Sequence, residues 1–393
     1  MTDSPGQGLT AADQVTARRA WVYFERNWHP ATGLIHSVDG YSWSTLWDQG
    51  SAILGLHAGR QLGLITEAQF RPRLERLLTT LETMPLPSTG LPNKAYNTAT
   101  AEMRTLNNRP DRQGSSGWSA LDMGRYLLSL HTLKVQYPAY GDRIAAIVAR
   151  YDLARLVKEG QLWGSGTVSG KTGLQYWQEG RLGYEQYAAY SLKLWGLEAD
   201  QALHHPPTRT VTVEGVDLQV DRRDRDSHGA INVLTNDPYL LWGLELGWPD
   251  DERGQVNGLL TAQANRYART GTLTAVNEDA LDQPPYFLYY GVYGDGQPWT
   301  AVNSRGQRYN RLRFLSTKAA FAWHALFPES DYAQRLRETV QTLADNQRGY
   351  FAGRYEDPAL GPNRSLNVNT NGIILESLLY KAQGGQAIAQ PIA

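Results

Sequence analysis

The chain has 393 residues, of which 41% are hydrophobic and 20% charged, so it is long enough to bury the core of one large domain or two ordinary ones. A formal net charge of −1, with no basic block among the aromatic residues, argues against nucleic acid or an anionic membrane as a partner. Cysteine is absent, which excludes disulfides, thiolate zinc sites and cysteine nucleophiles.

Two kinds of predicted helix alternate along the chain. One kind carries charges around an apolar stripe, as a helix with one solvent-facing side does. These wet segments lie at 16–28, 66–84, 140–157, 197–205, 253–270 and 331–347. The other kind is almost free of charge after its first turn, which predicts a helix buried on most sides. These dry segments lie at 47–59, 117–133, 184–197, 237–247, 316–327 and 369–380.

Six wet and six dry segments predict an all-α fold, an (α/α)6 toroid with the dry helices inside. Thr66 and Gln69 fit a capping box at a helix start, and Pro138 and Pro238 lie near two others. A β-hairpin is expected at 208–224. An open helical solenoid is the alternative, but the repeats are too unequal for it. No linker divides the chain, so we expect one domain at 12–384 between flexible segments at 1–11 and 385–393.

In such a ring, the long loops that enter the inner helices meet on one face. These loops are rich in Trp and Tyr, which number 12 and 22 against 7 Phe in the whole chain. An aromatic side chain that carries a polar atom suits a partly solvated cleft, because its apolar face can stack on a sugar while the polar atom bonds a hydroxyl. The candidate substrate-binding residues are Tyr41, Trp43, Trp47, Tyr96, Arg104, Trp118, Trp177, Arg181, Tyr184, Tyr355 and Asn371.

The same loops carry acids, and each acid has a structural alternative. Asp48 and Asp122 lie in the first turns of inner helices, where a carboxylate also complements the helix dipole. Glu185 is in a similar place and could be structural or bond a sugar. Glu356 lies in a turn-like loop where a solvated acid is common. Glu179 precedes its helix by several residues, so capping explains it poorly.

Glycoside hydrolysis uses an acid that stays protonated and a second carboxylate that activates water or attacks directly. Inverting enzymes hold the two carboxyl groups roughly 6.5–9.5 Å apart, and acids from different loops could meet that spacing. We therefore pair Glu179, beside Trp177, as the acid with Glu356 as the base. Asp48, Asp122 and Glu185 are further catalytic candidates. No histidine shows metal-ligand spacing and no phosphate-binding glycine motif occurs, so neither a metal nor a cofactor is expected.

Five stretches carry a family resemblance: WDQGSAILGL at 47–56, LPNKAYNT at 91–98, GWSALDMGRYL at 117–127, QEGRLGYEQYAAY at 178–190 and NTNGIILESLLY at 369–380. With these, residues 12–384 resemble a bacterial family of exported or envelope-associated domains of long-unknown function. That family is distantly similar to (α/α)6 glycoside hydrolases, including β-1,2-glucanases and glucoamylase-like enzymes.

The resemblance implies an (α/α)6 fold and inverting hydrolysis by two loop carboxylates, one before an inner helix and one before the last inner helix. Glu179 and Glu356 occupy comparable places. It also implies a bacterial β-glucan or exopolysaccharide as substrate, with β-1,2-glucan favoured and endo-cleavage expected. The first residues, MTDSPGQGLT, lack the features of a signal peptide. We nevertheless expect a periplasmic or secreted monomer whose signal has been removed.

Two other functions remain open. A polysaccharide lyase would need a Tyr or His base and cationic groups for a uronate, but the predicted site has more acids than Arg or Lys. A non-catalytic glycan-binding module of envelope polysaccharide synthesis would bind sugars without turnover.

Overall fold

A computed structural model describes residues 8–389, which contain 13 α-helices and 16 β-strands. The helices are α1 Ala11–Asn27, α2 Leu46–Gln61, α3 Glu67–Thr83, α4 Ala120–Gln136, α5 Gly141–Ala149, α6 Tyr184–Lys193, α7 Asp200–His204, α8 Arg225–His228, α9 Asp237–Glu245, α10 Arg253–Thr270, α11 Thr317–Leu326, α12 Asp331–Val340 and α13 Val368–Ala382. Each of the twelve predicted helical segments contains a helix, and α7 and α8 are only five and four residues long.

The strands are short and pair antiparallel in five sheets. They are β1 Ser44–Thr45, β2 Ala95–Tyr96, β3 Met103–Arg104, β4 Val157–Lys158, β5 Gln161–Thr167, β6 Leu174–Gln178, β7 Thr208–Val213, β8 Val216–Asp221, β9 Val233–Leu234, β10 Glu278–Ala280, β11 Phe287–Gly294, β12 Gln297–Val302, β13 Phe314–Ser316, β14 Ala344–Asp345, β15 Gly349–Tyr355 and β16 Pro362–Leu366.

The six dry helices form a closed ring. In chain order α2, α4, α6, α9, α11 and α13 each contact the next, and α13 returns to contact α2. The wet helices α1, α5, α7 and α12 pack on α13, α4, α6 and α11. This closure excludes the open solenoid, because an open array leaves its first and last repeats apart.

Local sequence explains how two of the helices begin and how closely two of the inner helices pack. Thr45 and Asp48 form a capping box at the start of α2, and the predicted box of Thr66 and Gln69 at α3 is confirmed. Gly124 of α4 lies against Ala188 of α6, where an added Cβ would come within 2.7 Å of the alanine Cβ. The missing side chain therefore sets the distance between these two helices.

The strands correct one prediction. The hairpin expected at 208–224 is present as β7 and β8, but the other long loops also form sheets, rather than irregular structure. Many residues of these loops are buried, and a buried backbone must find hydrogen-bond partners. Antiparallel pairing supplies those partners.

A buried ionic cluster lies inside the ring. Arg125 of α4 lies 3.0 Å from Glu245 of α9 and 3.2 Å from Glu376 of α13, and none of these three side chains is exposed. Tyr187 of α6 donates a hydrogen bond to Glu245. Burial and the neighbouring Glu245 raise the pKa of Glu376 well above its usual value. The cluster thus joins four inner helices by polar contacts.

The expected flexible segments fall partly outside the described residues, which exclude 1–7 and 390–393. Within the structure, Thr10 caps α1 in a box with Asp13. Ile388 is fully buried, and its backbone N–H donates to the Leu244 carbonyl at 3.0 Å. Among residues 8–389, no helix has both the length and the apolar character that a membrane crossing requires.

Candidate active site

One cavity of about 760 Å³ opens over the starts of the inner helices. Its walls carry five carboxylates and two cationic side chains, together with tryptophan and tyrosine rings. The charged residues are Asp48, Asp122, Glu179, Glu278, Asp279, Arg181 and Lys318. A site with this surplus of acids can hold a proton on one carboxyl group while another is ionised, which is the requirement of acid–base chemistry.

Glu179 lies between the end of β6 and α6, and glycines position it. Gly180 and Gly183 have φ values of +97° and +93°, a region that favours glycine, so the chain can turn sharply after the acid. The carboxylate accepts a hydrogen bond from the Ala120 backbone N–H at 2.5 Å. The same oxygen, Oε2, also lies close to Gly164 of β5, where an added Cβ would be 2.6 Å from it.

The environment of Glu179 acts on its ionisation in both directions. Burial raises the pKa of the Glu179 carboxyl, whereas Lys94 and the Ala120 N–H favour the ionised form. Lys94 is held by a hydrogen bond to the Ser165 carbonyl at 2.8 Å and lies over the ring of Trp177. Glu179 therefore resembles a carboxylate that caps a helix, because it accepts a hydrogen bond from a backbone N–H at the start of α4.

Asp122, which lies in the first turn of α4, is a neighbour of Glu179. Its backbone N–H donates to the capping hydroxyl of Ser119 at 3.1 Å, and its Oδ1 accepts from that hydroxyl at 3.2 Å. Burial, followed by the charges of Glu179 and Asp48, raises the pKa of Asp122 to about 7. The negative charge of Glu179 therefore adds to burial in disfavouring ionisation of Asp122.

Glu278 comes from the other side of the ring, on β10, in the segment that leads to α11. The hydroxyl of Tyr184 donates to its Oε2 at 2.7 Å, and the strand register places it opposite Tyr289 of β11. Burial and the charge of Asp237 raise the pKa of Glu278 to about 8, so it is largely protonated at neutral pH. Since α4 and α11 are three steps apart in a ring of six, Glu278 and Asp122 come from opposite sides.

A buried lysine lies beside Glu278. The Lys318 ammonium, in the first turn of α11, is 3.1 Å from Asp237, and both side chains are 1% exposed. Asp279 is also buried, and burial raises its pKa to about 6 despite the attraction of Lys318. The positive charge is thus engaged by Asp237 and Asp279, and Glu278 has a tyrosine hydroxyl rather than a cation as its hydrogen-bond partner.

Asp48 lines the cavity but is fully engaged in structure. It accepts hydrogen bonds from the Thr45 backbone and hydroxyl, from Ser37 and from Asn369, the last at 2.7 Å. The contacts of Asp48 are thus those of the structural alternative, in which this acid caps a helix. Asn369 belongs to α13, so this carboxylate also joins the first and last inner helices.

Eight of the predicted residues lie on the cavity wall. These are Asp48, Asp122 and Glu179 among the acids, and Trp43, Trp47, Trp177, Arg181 and Tyr184 among the predicted sugar-binding residues. Tyr41 is outside the wall but packs against Trp43, with 6.4 Å between ring centroids, and is 46% exposed.

Two predicted acids are engaged away from the cavity. Both oxygens of Glu356 accept hydrogen bonds from the Arg266 guanidinium, at 2.7 and 2.8 Å, and Oε1 also accepts from Tyr290. Glu185 is fully buried and pairs with Arg223 at 2.6 Å. Neither is on the cavity wall, so the pairing of Glu179 with Glu356 does not fit the structure. Sequence reasoning could not see the arginines, which are distant in the chain.

Five predicted sugar-binding residues are likewise committed elsewhere. The Tyr96 hydroxyl donates to the Pro85 carbonyl, and the Trp118 indole N–H donates to the Trp163 carbonyl. Arg104 donates to Glu102 in the same loop, the Tyr355 hydroxyl donates to Asp282, and the Asn371 side chain accepts from the Tyr350 backbone N–H. Each of the five side chains thus has a hydrogen-bond partner within the protein, and none of them lines the cavity.

Sequence reasoning missed Glu278, Asp279, Lys318 and Tyr289, which all line the cavity. The signals were present in the chain. The acids stand directly before an aromatic-dense run, and Lys318 is a cation at the start of an otherwise apolar helix. Among residues 8–389, no group of three or more His, Cys, Asp or Glu side chains has the arrangement of a metal site.

Solved structures with this fold include carbohydrate-active proteins. A "putative glucoamylase" from Bacteroides fragilis superimposes with a TM-score of 0.65 at 14% identity, covering 99% of this chain and 97% of that chain. The endo-β-1,2-glucanase from Chitinophaga pinensis, in complex with sophorotriose and glucose, gives a TM-score of 0.64 at 12% identity, covering 96% of this chain and 94% of that chain. The Talaromyces funiculosus endo-β-1,2-glucanase with sophorose gives 0.59 at 12%, over 95% and 85%.

These likenesses establish a shared helix-rich fold. A comparison with curated protein sequences gives no match. The sequence does match a family described as "Protein of unknown function (DUF3131)", over residues 15–384. That match covers nearly the whole chain and confirms the resemblance found in the sequence. The chain therefore belongs to the DUF3131 family.

Proposed function

We propose that the protein is a glycoside hydrolase with an (α/α)6 toroid fold that cleaves a bacterial β-glucan, with β-1,2-glucan as the favoured substrate. The observation that carries this proposal is the contrast between Glu179 and Glu278 in one cavity. Glu278 keeps its proton because burial and Asp237 disfavour its charge. Burial also raises the pKa of Glu179, but a backbone donor and a nearby lysine oppose that rise and favour its charge. Such a divergence of environments separates acid from base in glycosidases.

In the proposed reaction, Glu278 is the general acid and Glu179 the general base. The Glu278 proton passes to the glycosidic oxygen as the bond to the anomeric carbon breaks. Glu179 accepts a proton from a water molecule that attacks the same carbon from the opposite face, which inverts its configuration. This assignment changes the role expected for Glu179 and replaces Glu356 by Glu278. Asp122, with its pKa near 7, is a second candidate for a protonated group beside the base.

The composition of the cavity wall favours a neutral glycan. Five carboxylates face two cationic side chains, Arg181 and Lys318, and Lys318 is already paired with Asp237. A uronate polymer would meet repulsion there, which argues against a lyase. The rings of Trp43, Trp47 and Trp177 offer apolar faces for sugar rings. The endo-β-1,2-glucanases that share the fold support a glucan and internal cleavage.

The test is incubation with linear β-1,2-, β-1,3-, β-1,4- and β-1,6-glucans, with products separated by size and their anomeric configuration followed by NMR. We expect short oligosaccharides of inverted configuration from one of the four. Glu179→Gln and Glu278→Gln should each lower the rate by about 100-fold or more. Unsaturated products with ultraviolet absorbance would instead indicate a lyase, and binding without products would indicate a glycan-binding module.

The two roles are separated by an aryl glycoside with a good leaving group, which needs no proton from the enzyme. Glu278→Gln should retain much of its activity on that substrate, whereas Glu179→Gln should not. The reverse result would restore Glu179 as the acid. We further propose that the protein works as a monomer in the periplasm or outside the cell, where β-glucans of the envelope occur. Cell fractionation and sedimentation test these two points.

A further inference from the structure

The cavity wall includes large apolar side chains that are exposed to solvent. Single exposed apolar residues are ordinary on a protein surface, whereas a contiguous group around a cavity indicates a binding surface. The large hydrophobic residues of the cavity wall that are most exposed are Val38 at 37%, Leu106 at 57%, Tyr286 at 63% and Phe287 at 38%. We call these four side chains the rim of the cavity. A ligand that reached them as well as the acids would gain free energy by burying their apolar surface.

The β10–β11 hairpin joins this rim to the acids by a line of rings. Tyr289 lies opposite Glu278 in the strand register, and Phe287 lies opposite Ala280. Residues two apart on a strand share a face, so both rings lie on the cavity side. Their centroids are 5.1 Å apart in an edge-on arrangement. Tyr286, which directly precedes Phe287 in the chain, is the most exposed of the three.

The chemistry of the rim points to a neutral polymer. The same cavity wall includes Pro285, Leu106, Asn107 and Ile231, none of which is charged. An anionic chain would meet five carboxylates in this cavity against two cations, of which Lys318 is already paired with Asp237. A purely apolar ligand would match the rim but not the acids. A glucan satisfies both parts, because its sugar rings present apolar CH faces to aromatic rings and hydroxyls to polar groups.

We infer that Tyr286 and Phe287 form a platform for the sugar units next to the one that is cleaved, so that the substrate is a neutral glucan chain and its length determines how well it is used. This inference rests on the proposed function, since it takes the acids as the place of cleavage. It adds two specificity-determining residues that hold the chain outside the acids. Tyr289 connects the platform to Glu278.

The experiment compares kcat/KM on linear β-1,2-glucan and on its trisaccharide for the wild type, Tyr286→Ala and Phe287→Ala. We expect the polymer-to-trisaccharide ratio to fall by about 10-fold in each variant, which is the loss typical of one stacked aromatic contact. The matched control is Tyr176→Ala. Tyr176 is 54% exposed, packs on Trp118 and is not on the cavity wall, so the ratio should not change.

Direct binding of the same two glucans, measured by calorimetry, separates this inference from the proposed function. The wild type could bind the polymer more tightly than the trisaccharide and yet cleave neither, which would contradict the proposed hydrolysis. Loss of that difference in affinity in the two variants would then still support the platform. If cleavage occurs and the ratio is unchanged in both variants, the platform is overturned and hydrolysis stands. Failure to bind any glucan, or a wild-type dimer that both variants abolish, would also overturn the platform.

Discussion

The Glu179 carboxylate accepts a hydrogen bond from the backbone N–H of Ala120 at 2.5 Å, although 59 positions separate the two residues in the chain. Ala120 is the first residue of α4, so the acid closes the positive end of a helix that it does not belong to. The contact fixes the carboxylate over the cavity and stabilises its charge. Several of the properties expected of the site depend on this arrangement.

Gly164→Ala should disable the site without unfolding the protein. The new methyl group would lie 2.6 Å from Glu179 Oε2, so the carboxylate must move away from Ala120. Displacing a catalytic group by about 1 Å can lower activity by about 100-fold, and we expect a loss of kcat of that size. Gly254→Ala, where a Cβ meets nothing within 4 Å, is the control. Equal activity of the two variants would contradict this role for Gly164.

Tyr184→Phe should shift the alkaline limit of activity upward. The Tyr184 hydroxyl donates to Glu278 and thereby favours its ionised form, so removing the donor raises the pKa of Glu278 further above about 8. A general acid then stays protonated to higher pH, and the falling limb of kcat/KM should move up by as much as about one unit. The pH profile measures this shift. A downward movement of that limb would contradict Glu278 as the acid.

Glu278→Gln should stabilise the protein at alkaline pH. Because the folded-state pKa of Glu278 is raised from 4.5 to about 8, its stabilising contribution is fully present below 4.5 and is lost as the pH rises through about 8. Glutamine has no such loss. Thermal unfolding should give equal Tm values for the two proteins near pH 4.5 and a variant Tm higher by about 2 °C above pH 8. An equal Tm throughout would indicate that Glu278 ionises freely.

Arg125→Met should destabilise the ring. The substitution leaves Glu245 and Glu376 buried without their cation, and such a loss costs about 3–5 kcal/mol of the free energy of unfolding. The triple variant with Glu245→Gln and Glu376→Gln removes the stranded charges and should recover most of this loss. Urea denaturation measures both. If the triple variant is less stable than Arg125→Met, the cluster acts by packing and not by charge.

Glu356→Gln should lower stability and spare activity. The carboxylate holds Arg266 by two hydrogen bonds away from the cavity, so the amide would weaken a largely buried pair by about 1–3 kcal/mol. We expect kcat/KM to change by less than about 3-fold when measured well below the unfolding temperature. A loss as large as that of Glu179→Gln would reinstate the catalytic role suggested by the sequence.

The sequence predicted the helical architecture well, because its signals are local. The charge pattern of each segment already tells which helix faces water, and the twelve predicted segments all contain a helix. Thr66 and Gln69 identified a helix start from spacing alone. The order of wet and dry segments was enough to suggest a ring. The strands of the long loops were missed, since their pairing depends on which segments the ring brings together.

The site was only partly predictable, because the fate of a polar side chain depends on partners far along the chain. By itself, the sequence determined that acids and aromatic rings collect in the loops before the inner helices, and it singled out Glu179 because that acid precedes its helix by several residues. The tertiary structure decided which acids are free to act. Glu356 meets Arg266 across 90 positions, whereas Glu278 meets Tyr184 across 94 and stays on the cavity wall. Ionisation follows burial and neighbouring charge, and only the folded chain sets both.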